Sequence, residues 1–320
     1  MARIFFIGGT GHIGGEVINA IVKRFPDVEV VALVRDEGKA IQLKSSFPTI
    51  NTIIGDLSSL SLIEEASRDA GIVINTGPDI THAATTAAIS RGLTRTPSST
   101  TAPQPTFLIH TSGGGLTWTP PTGRQDPSHL PWSDTLSTAR IVSAPGDALH
   151  AVEDAAVRRA GSAPGGPRVA IVSPTIVYGL SASPGHAVPA SLPDMVAAIE
   201  GLGAGFVIGD GSNRCSWVHV ADVAQIYVAL LADALGARGG GGGGVDERLW
   251  GPHAYYFGAD EEVTFREWMG LVVPALRKHG LLGRDGIVEV AFEDVVQTLV
   301  DAGSVSDYAE LRSWRHWFVR

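Results

Sequence analysis

The chain has 320 residues, 44% of them hydrophobic and 18% charged, enough to bury one large α/β domain with an attached lobe or two ordinary domains; this excludes a wholly disordered chain. A formal charge of −9 excludes a broad basic surface for nucleic acid or an anionic membrane, because neutralising phosphates takes clustered Lys and Arg. The single cysteine, Cys215, excludes an internal disulfide and points to a reducing, cytoplasmic setting; the apolar run Ile4–Ile7 stops at glycines too soon for a signal core, and no stretch of 18 apolar residues reads as a membrane span.

Short β-branched runs alternate with helical periods through the first 235 residues, the pattern of parallel strands joined by crossover helices. Strands are expected at Arg3–Ile7, Glu29–Val34, Ile50–Ile54, Gly71–Asn75, Phe107–Thr111 and Arg168–Val172. Helices are expected at Ile13–Arg24, Leu60–Arg68, His82–Arg91, Asp147–Arg159 and Val220–Leu235, with Ser61 and Glu64 at capping-box spacing near the start of the second. Residues 92–106, rich in Thr, Ser and Pro, read either as a functional loop or as a plain insertion. Residues 113–135 read as a functional lid because they carry Trp118 and Trp132. After residue 176 the alternation loosens. The run Gly239–Gly244 reads as a flexible surface loop; the last 75 residues, with a strand at Ala254–Phe257 and a helix opened by Thr264 and Glu267 at capping-box spacing, read as a smaller lobe. No internal repeat is present.

Gly8, Gly11 and Gly14 stand at GxxGxxG spacing between the first strand and the first helix. There, glycine permits a tight turn and close approach of backbone to a pyrophosphate, while the helix start supplies free N–H groups and a positive dipole end. Gly8, Gly9, Thr10, Gly11, His12, Ile13 and Gly14 are therefore the expected cradle of a nicotinamide dinucleotide. The second strand ends at Val34 and is followed by Arg35, where an arginine suits a 2′-phosphate and favours NADP(H); Asp36, next to it, keeps NAD(H) open. The alternative for Arg35 is an ordinary surface arginine.

Taken with Gly55-Asp56-Leu57, Asn75-Thr76-Gly77, the Ser173–Gly179 stretch, Gly209-Asp210-Gly211 and the Trp217–Asp222 stretch, the glycine turn resembles that of an extended short-chain dehydrogenase/reductase of the NAD-dependent epimerase/dehydratase type, with NmrA-like features in Ala32–Asp36. The resemblance spans nearly the whole chain. It implies an α/β fold: a doubly wound parallel Rossmann sheet over residues 1–176, completed by 215–235, with a smaller C-terminal substrate lobe from 177–214 and 236–320. Substrate would then lie at the carboxyl ends of the strands, between the two. It further implies that Asp56 and Leu57 contact the adenine, that Gly77 lines the cofactor trough, that Pro174, Thr175 and Ile176 lie near the nicotinamide, and that Ser112 is the catalytic serine. Read from its neighbours alone, Ser112 is equally a turn serine before Gly113.

The chain departs from that family at the YxxxK pair that moves protons in hydride-transferring members. Its four lysines are Lys23, Lys39, Lys44 and Lys278, and no tyrosine precedes Tyr178; the nearest spacing, Tyr308 with Arg312, falls in the tail. On the helix where YxxxK would stand the chain has His150 and Asp154. The two are spaced to share one helix face, as an acid/base pair or as a local stabilising pair. His110 at a strand end is a further candidate, and His219 is expected to be structural. No metal-ligand spacing such as HExxH occurs, so no metal is expected.

The expected function is that of an NADP(H)-binding enzyme acting on a small, largely apolar metabolite by reduction, isomerisation or a related rearrangement. A nucleotide sugar is less favoured, because cations for a second pyrophosphate are scarce and Arg214 is the main candidate. Two alternatives stand beside it: a catalytically silent NmrA-like dinucleotide sensor or scaffold, and a non-redox cyclase or dehydratase using the same cleft. The expected partner is a small-molecule substrate, with neither nucleic acid nor membrane; a homodimer is left open.

Overall fold

A computed structural model describes residues 2–77, 82–95, 104–114, 122–125, 131–136, 138–143, 150–189, 191–238, 246–283 and 285–303. Trp118, Gly239–Gly244, Tyr308, Arg312 and parts of both long loops lie outside these. The chain divides into two units, the first drawn from residues 1–116, 133–188 and 219–258, the second from 117–132, 189–218 and 259–320.

The first unit opens with β1 (Arg3–Ile7), α1 (His12–Arg24), β2 (Glu29–Val34), α2 (Glu37–Ser46), β3 (Asn51–Ile54), α3 (Leu60–Ala70), β4 (Ile72–Asn75), α4 (Ala83–Leu93) and β5 (Phe107–Thr111). It continues with α5 (Thr138–Val142), α6 (Ala151–Ser162), β6 (Arg168–Pro174) and β7 (Ile176–Tyr178). Seven strands form one sheet in the order β10-β6-β5-β4-β1-β2-β3, where β10 is Tyr255–Gly258, and every pairing is parallel. The order reverses at β1, whose Ile7 lies level with Leu33 of β2 and Asn75 of β4. In such a sheet the two crossovers diverge at this point and leave a crevice beyond the strand ends.

Ile4, Phe5, Phe6 and Ile7 are all buried, as are Ile72, Val73 and Ile74 beside them, because helices cover both faces of a parallel sheet and leave no solvent side for alternation. Each such side chain contributes about 1.5 to 3 kcal/mol of transfer free energy. Between β9 (Arg214–His219) and β10 runs α8 (Val220–Arg238), which by length and composition reaches that of a membrane span. It packs against α1, buries Val220, Val223, Tyr227, Leu230 and Leu231, and joins β5 through a 2.6 Å hydrogen bond between Tyr227 Oη and Thr111 Oγ1.

In the second unit lie α7 (Ser191–Leu202), β8 (Gly205–Ile208), β11 (Glu261–Thr264), α9 (Phe265–Lys278), β12 (Ile287–Val290) and α10 (Phe292–Asp301). β8 pairs in parallel with β12, and β9 pairs antiparallel with β11, over a core that includes Phe206, Phe265 and Trp217. The expected Thr264–Glu267 capping box is made: Thr264 Oγ1 accepts from Glu267 N at 3.1 Å, and Glu267 Oε2 accepts from Thr264 N at 2.8 Å.

Several expectations are corrected. The strand expected at Ala254–Phe257 belongs to the main sheet, paired with β6, whereas residues 215–218, expected to complete that sheet, form an antiparallel pair in the second unit. Pairing decides this, and a four-residue strand carries no mark of its partner. Helix α2 goes beyond the expected elements, because its apolar residues make no stripe: Ala40 and Leu43 are buried while Ile41 is exposed. The Ser61–Glu64 box does not form; Ser59 is the N-cap of α3, and the Glu64 carboxylate instead pairs with Arg68 at 2.7 Å and Arg91 at 2.8 Å.

Candidate functional site

Beyond β1 the chain turns through Gly8, whose φ of +87° is open to glycine, and closes with Gly11 N–H donating to Gly8 O at 2.9 Å. The glycines of the motif do different work. A Cβ on Gly8 would come within 2.5 Å of the Thr76 carbonyl carbon, and one on Gly14 would overlap Gly8 O and crowd Thr76 Oγ1, so both are required by the close seating of the turn on the end of β4. A Cβ on Gly11 would meet only Gly8 O, at 3.2 Å. The protein leaves room there. Gly11 is the N-cap of α1 and offers no side-chain cap, so the first N–H groups of a 13-residue helix, at His12 and Ile13, face that space. A cradle that a methyl group would fill, lined by backbone donors at a helix start, fits the pyrophosphate of a dinucleotide.

Arg35 stands exposed one residue past β2, and no hydrogen bond or ion pair engages it among the described residues. Asp36 serves the fold as the N-cap of α2, its Oδ1 accepting from Lys39 N at 2.8 Å. Beyond β3, Asp56 Oδ1 accepts from Ser58 N at 2.9 Å and Ser58 Oγ at 2.6 Å; the Ser58 hydroxyl first, then the Ser58 amide and the Ser59 hydroxyl, hold its carboxyl below the usual range. Leu57 reaches over Gly77, lying 3.8 Å from where a Gly77 Cβ would stand. Gly77 N–H donates to Asn75 Oδ1 at 3.1 Å. Because an amide N–H can only donate, Asn75 must turn its Nδ2 to His110 Nδ1, 3.2 Å away, and the His110 proton therefore sits on Nε2. His110 is wholly buried within β5 rather than exposed at its end.

Ser112 follows β5, and its N–H continues the ladder by donating to Val172 O at 2.8 Å. Its Oγ donates to Asp154 Oδ2 at 2.9 Å, with both side chains buried. Asp154 lies in the first turn of α6, where a carboxylate is favoured by the helix dipole. His150 precedes the helix rather than lying within it: it is the N-cap, with a left-handed φ of 69°, the only positive φ at a non-glycine residue among those described. Its Nε2 lies 2.5 Å from where a Gly113 Cβ would stand, so the imidazole packs on the backbone next to Ser112. The three residues expected to carry chemistry thus converge, with Ser112 joined directly to Asp154.

Sequence reasoning missed Tyr255. Its hydroxyl is buried, and its ionisation is pushed above the phenol range, first by burial and then by the Asp154 charge, against the smaller opposing pull of Ser173, Ser112 and Arg158. Tyr255 is the first residue of β10, about a hundred residues beyond Asp154, and only the β10–β6 pairing brings it here. Of the three residues expected by the nicotinamide, Pro174 ends β6, Thr175 Oγ1 donates to Gly258 O of β10 at 2.9 Å, and Ile176 opens β7. Beyond them Gly179, at φ +93°, has no room for a Cβ against the His219 ring, which also meets Tyr178 edge to face at 5.2 Å. His219 Nδ1 accepts from Ala221 N at 3.1 Å. In the second unit Arg214 is exposed and its Nε donates to Glu262 Oε1 at 2.6 Å. Among the described residues no three His, Cys, Asp or Glu side chains gather as a metal site.

Comparison with known proteins agrees with the fold and with the binding of a dinucleotide. Residues 8–102 match the NAD(P)H-binding family, and residues 150–240 match the NAD dependent epimerase/dehydratase family. A curated relative, "Oxidase ucsJ" from an Acremonium species, is 29% identical over 274 residues, which are 83% of this chain and 76% of the relative. Among solved structures, the PbgP3 protein of Burkholderia pseudomallei shares the fold with a TM-score of 0.60 at 12% identity, covering 100% of this chain and 99% of that one. The dTDP-glucose 4,6-dehydratase of Bacillus anthracis, solved in complex with NAD, has a TM-score of 0.55 at 13% identity, covering 93% and 90%. The chain is thus a dinucleotide-binding enzyme in which an NAD(P)H-binding Rossmann unit is joined to an epimerase/dehydratase-like fold, an arrangement that matches the extended short-chain dehydrogenase/reductase superfamily.

Proposed function

We propose that this enzyme uses NADP(H) and acts on a small, largely apolar metabolite by oxidation–reduction or a related rearrangement, with Ser112, His150 and Asp154 in place of the family's tyrosine and lysine. The observation that carries this reading is the buried 2.9 Å bond from Ser112 Oγ to Asp154 Oδ2. A serine that gives its own proton to a carboxylate turns its lone pairs toward its other neighbours, so it accepts a proton from a substrate hydroxyl rather than donating one to a carbonyl. As that proton arrives at Ser112 Oγ, the serine's own proton passes to Asp154 Oδ2. For reduction the relay runs backward from a protonated Asp154, whose proton passes to Ser112 Oγ as Ser112 gives its own to the carbonyl oxygen. The bound dinucleotide supplies hydride exchange at its nicotinamide. His150, packed beside Ser112, is a second proton site. The arrangement favours substrates that must lose a proton, in keeping with the name of the oxidase relative.

The preference for NADP(H) is supported by the division of labour after β2, where Asp36 caps α2 and Arg35 is left exposed. Arg35→Ala is expected to weaken NADP(H) binding about 10- to 100-fold, the worth of a charge-assisted phosphate contact of about 1.5 to 3 kcal/mol, and to change NAD(H) binding less than about twofold. Titration followed by tryptophan fluorescence reads both. Equal wild-type affinities for the two dinucleotides would sink the preference.

The apolar substrate is supported by Arg214, the main candidate for a second pyrophosphate, which is held at the surface by Glu262 and followed by the buried Cys215. The test is a panel of apolar alcohols and ketones beside sugar nucleotides, followed through the absorbance of the reduced nicotinamide. Turnover of a sugar nucleotide overturns the apolar part. The missing tyrosine–lysine pair also supports a second reading, a dinucleotide sensor without turnover, which predicts tight dinucleotide binding and no reaction across the panel.

A further inference from the structure

The segment after the Tyr178-Gly179 turn folds back on the glycine turn. Ser181 N–H donates to Ala187 O at 2.9 Å and closes a seven-residue loop, with Ser183 at its centre accepting from Gly185 N and His186 N. Both serines are buried. Ser183 packs so tightly on Gly15 of α1 that a Cβ at Gly15 would overlap it. Five bonds hold this loop to the cofactor-binding elements. Ser181 Oγ donates to His12 O at 2.6 Å and Ser183 Oγ to Thr10 O at 2.9 Å, while His12 Nδ1 donates to His186 O at 3.1 Å. Ala182 N donates to Glu16 Oε2 at 2.7 Å, and Gln42 Nε2 of α2 donates to Pro184 O at 2.6 Å.

The choice of carbonyls matters. His12 C=O belongs to the same planar peptide as Ile13 N–H, and Thr10 C=O to the same peptide as Gly11 N–H; in a trans peptide the two groups point in opposite directions. Gripping His12 O therefore aims and polarises the Ile13 N–H on the far side, one of the open donors at the start of α1. The same loop also grips α2, the helix that follows β2, through Gln42.

We propose that Ser181 and Ser183 are positioning residues for the dinucleotide: Ser181 fixes the His12–Ile13 peptide from behind so that Ile13 N–H meets the pyrophosphate already oriented, and Ser183 fixes the Thr10–Gly11 peptide, whose N–H closes the turn onto Gly8 O and so holds its shape. Preorganised donors bind an anion more tightly than ones that must be ordered on binding. Ser181→Ala is expected to raise the Kd for NADP(H), and equally for ADP-ribose, about tenfold, because both carry the pyrophosphate. Ser181→Thr, which keeps the hydroxyl, is expected to stay within about twofold of wild type, and thermal unfolding of the cofactor-free proteins to differ little. Ser183→Ala supplies a second variant through Thr10 should Ser181→Ala fail to fold. Wild-type affinity in the alanine variants, or equal losses in Ser181→Ala and Ser181→Thr, overturns the proposal.

Discussion

Gly11→Val is expected to fold close to normally and to lose dinucleotide affinity by at least about a hundredfold, whereas Gly14→Ala is expected to unfold more easily. Position 11 has an ordinary φ of −78°, and a Cβ there meets only Gly8 O, at 3.2 Å, a tight contact that a small shift of the turn relieves. Replacing an N-cap glycine by an aliphatic residue costs the helix about a kilocalorie or less. The same side chain fills the space before the His12 and Ile13 N–H groups, and losing one or two charge-assisted bonds of about 1.5 to 3 kcal/mol each accounts for the drop in affinity. At Gly14 the new methyl overlaps Gly8 O inside the turn, and overpacking of that kind costs about 1 to 3 kcal/mol even before cofactor is added. Thermal unfolding without cofactor, paired with fluorescence titration, separates the two. Undiminished affinity in Gly11→Val would mean that the turn does not cradle the pyrophosphate.

Asp154→Asn is expected to lower turnover about a hundredfold to ten-thousandfold, the usual worth of general acid/base catalysis, while leaving dinucleotide affinity near wild type. Asparagine keeps the shape and still accepts a hydrogen bond from Ser112 Oγ, but it cannot take the proton, so the variant tests proton transfer rather than packing. Ser112→Ala should fall by a similar factor, and the double variant by little more than either alone, because the two act as one unit. His150→Phe separates the second proton site: a loss comparable to that of Asp154→Asn assigns it to the chemistry, and a turnover within a few-fold leaves it as the N-cap that packs on Gly113. Retention of turnover within about threefold in Asp154→Asn would remove the Ser112–Asp154 pair from the mechanism.

The cofactor half was legible because its signals are local. A run of buried isoleucine and phenylalanine, a glycine turn and a helix start follow one another within Arg3–Arg24, and each restricts the backbone through its own sterics. The expected limits of β1, β2 and β5 coincide with the observed ones for the same reason. Legibility ended at positions that local chemistry leaves open. Asp36 reads along the chain as a carboxylate that keeps NAD(H) open, and the fold uses it as a helix cap.

By itself, then, the sequence determined a parallel α/β sheet, a glycine turn at its switch point and the absence of the family's tyrosine–lysine pair, since periodicity, glycine sterics and residue identity are properties of the chain alone. Only the tertiary structure decided that β10 borders β6 and delivers Tyr255 beside Asp154, that Ser112 is wired to Asp154, and that Ser181 and Ser183 grip the turn some 170 residues before them. Those contacts depend on strand pairing and on the docking of distant loops. Their free energies come from burial and hydrogen bonds between residues far apart in sequence, which no local pattern encodes.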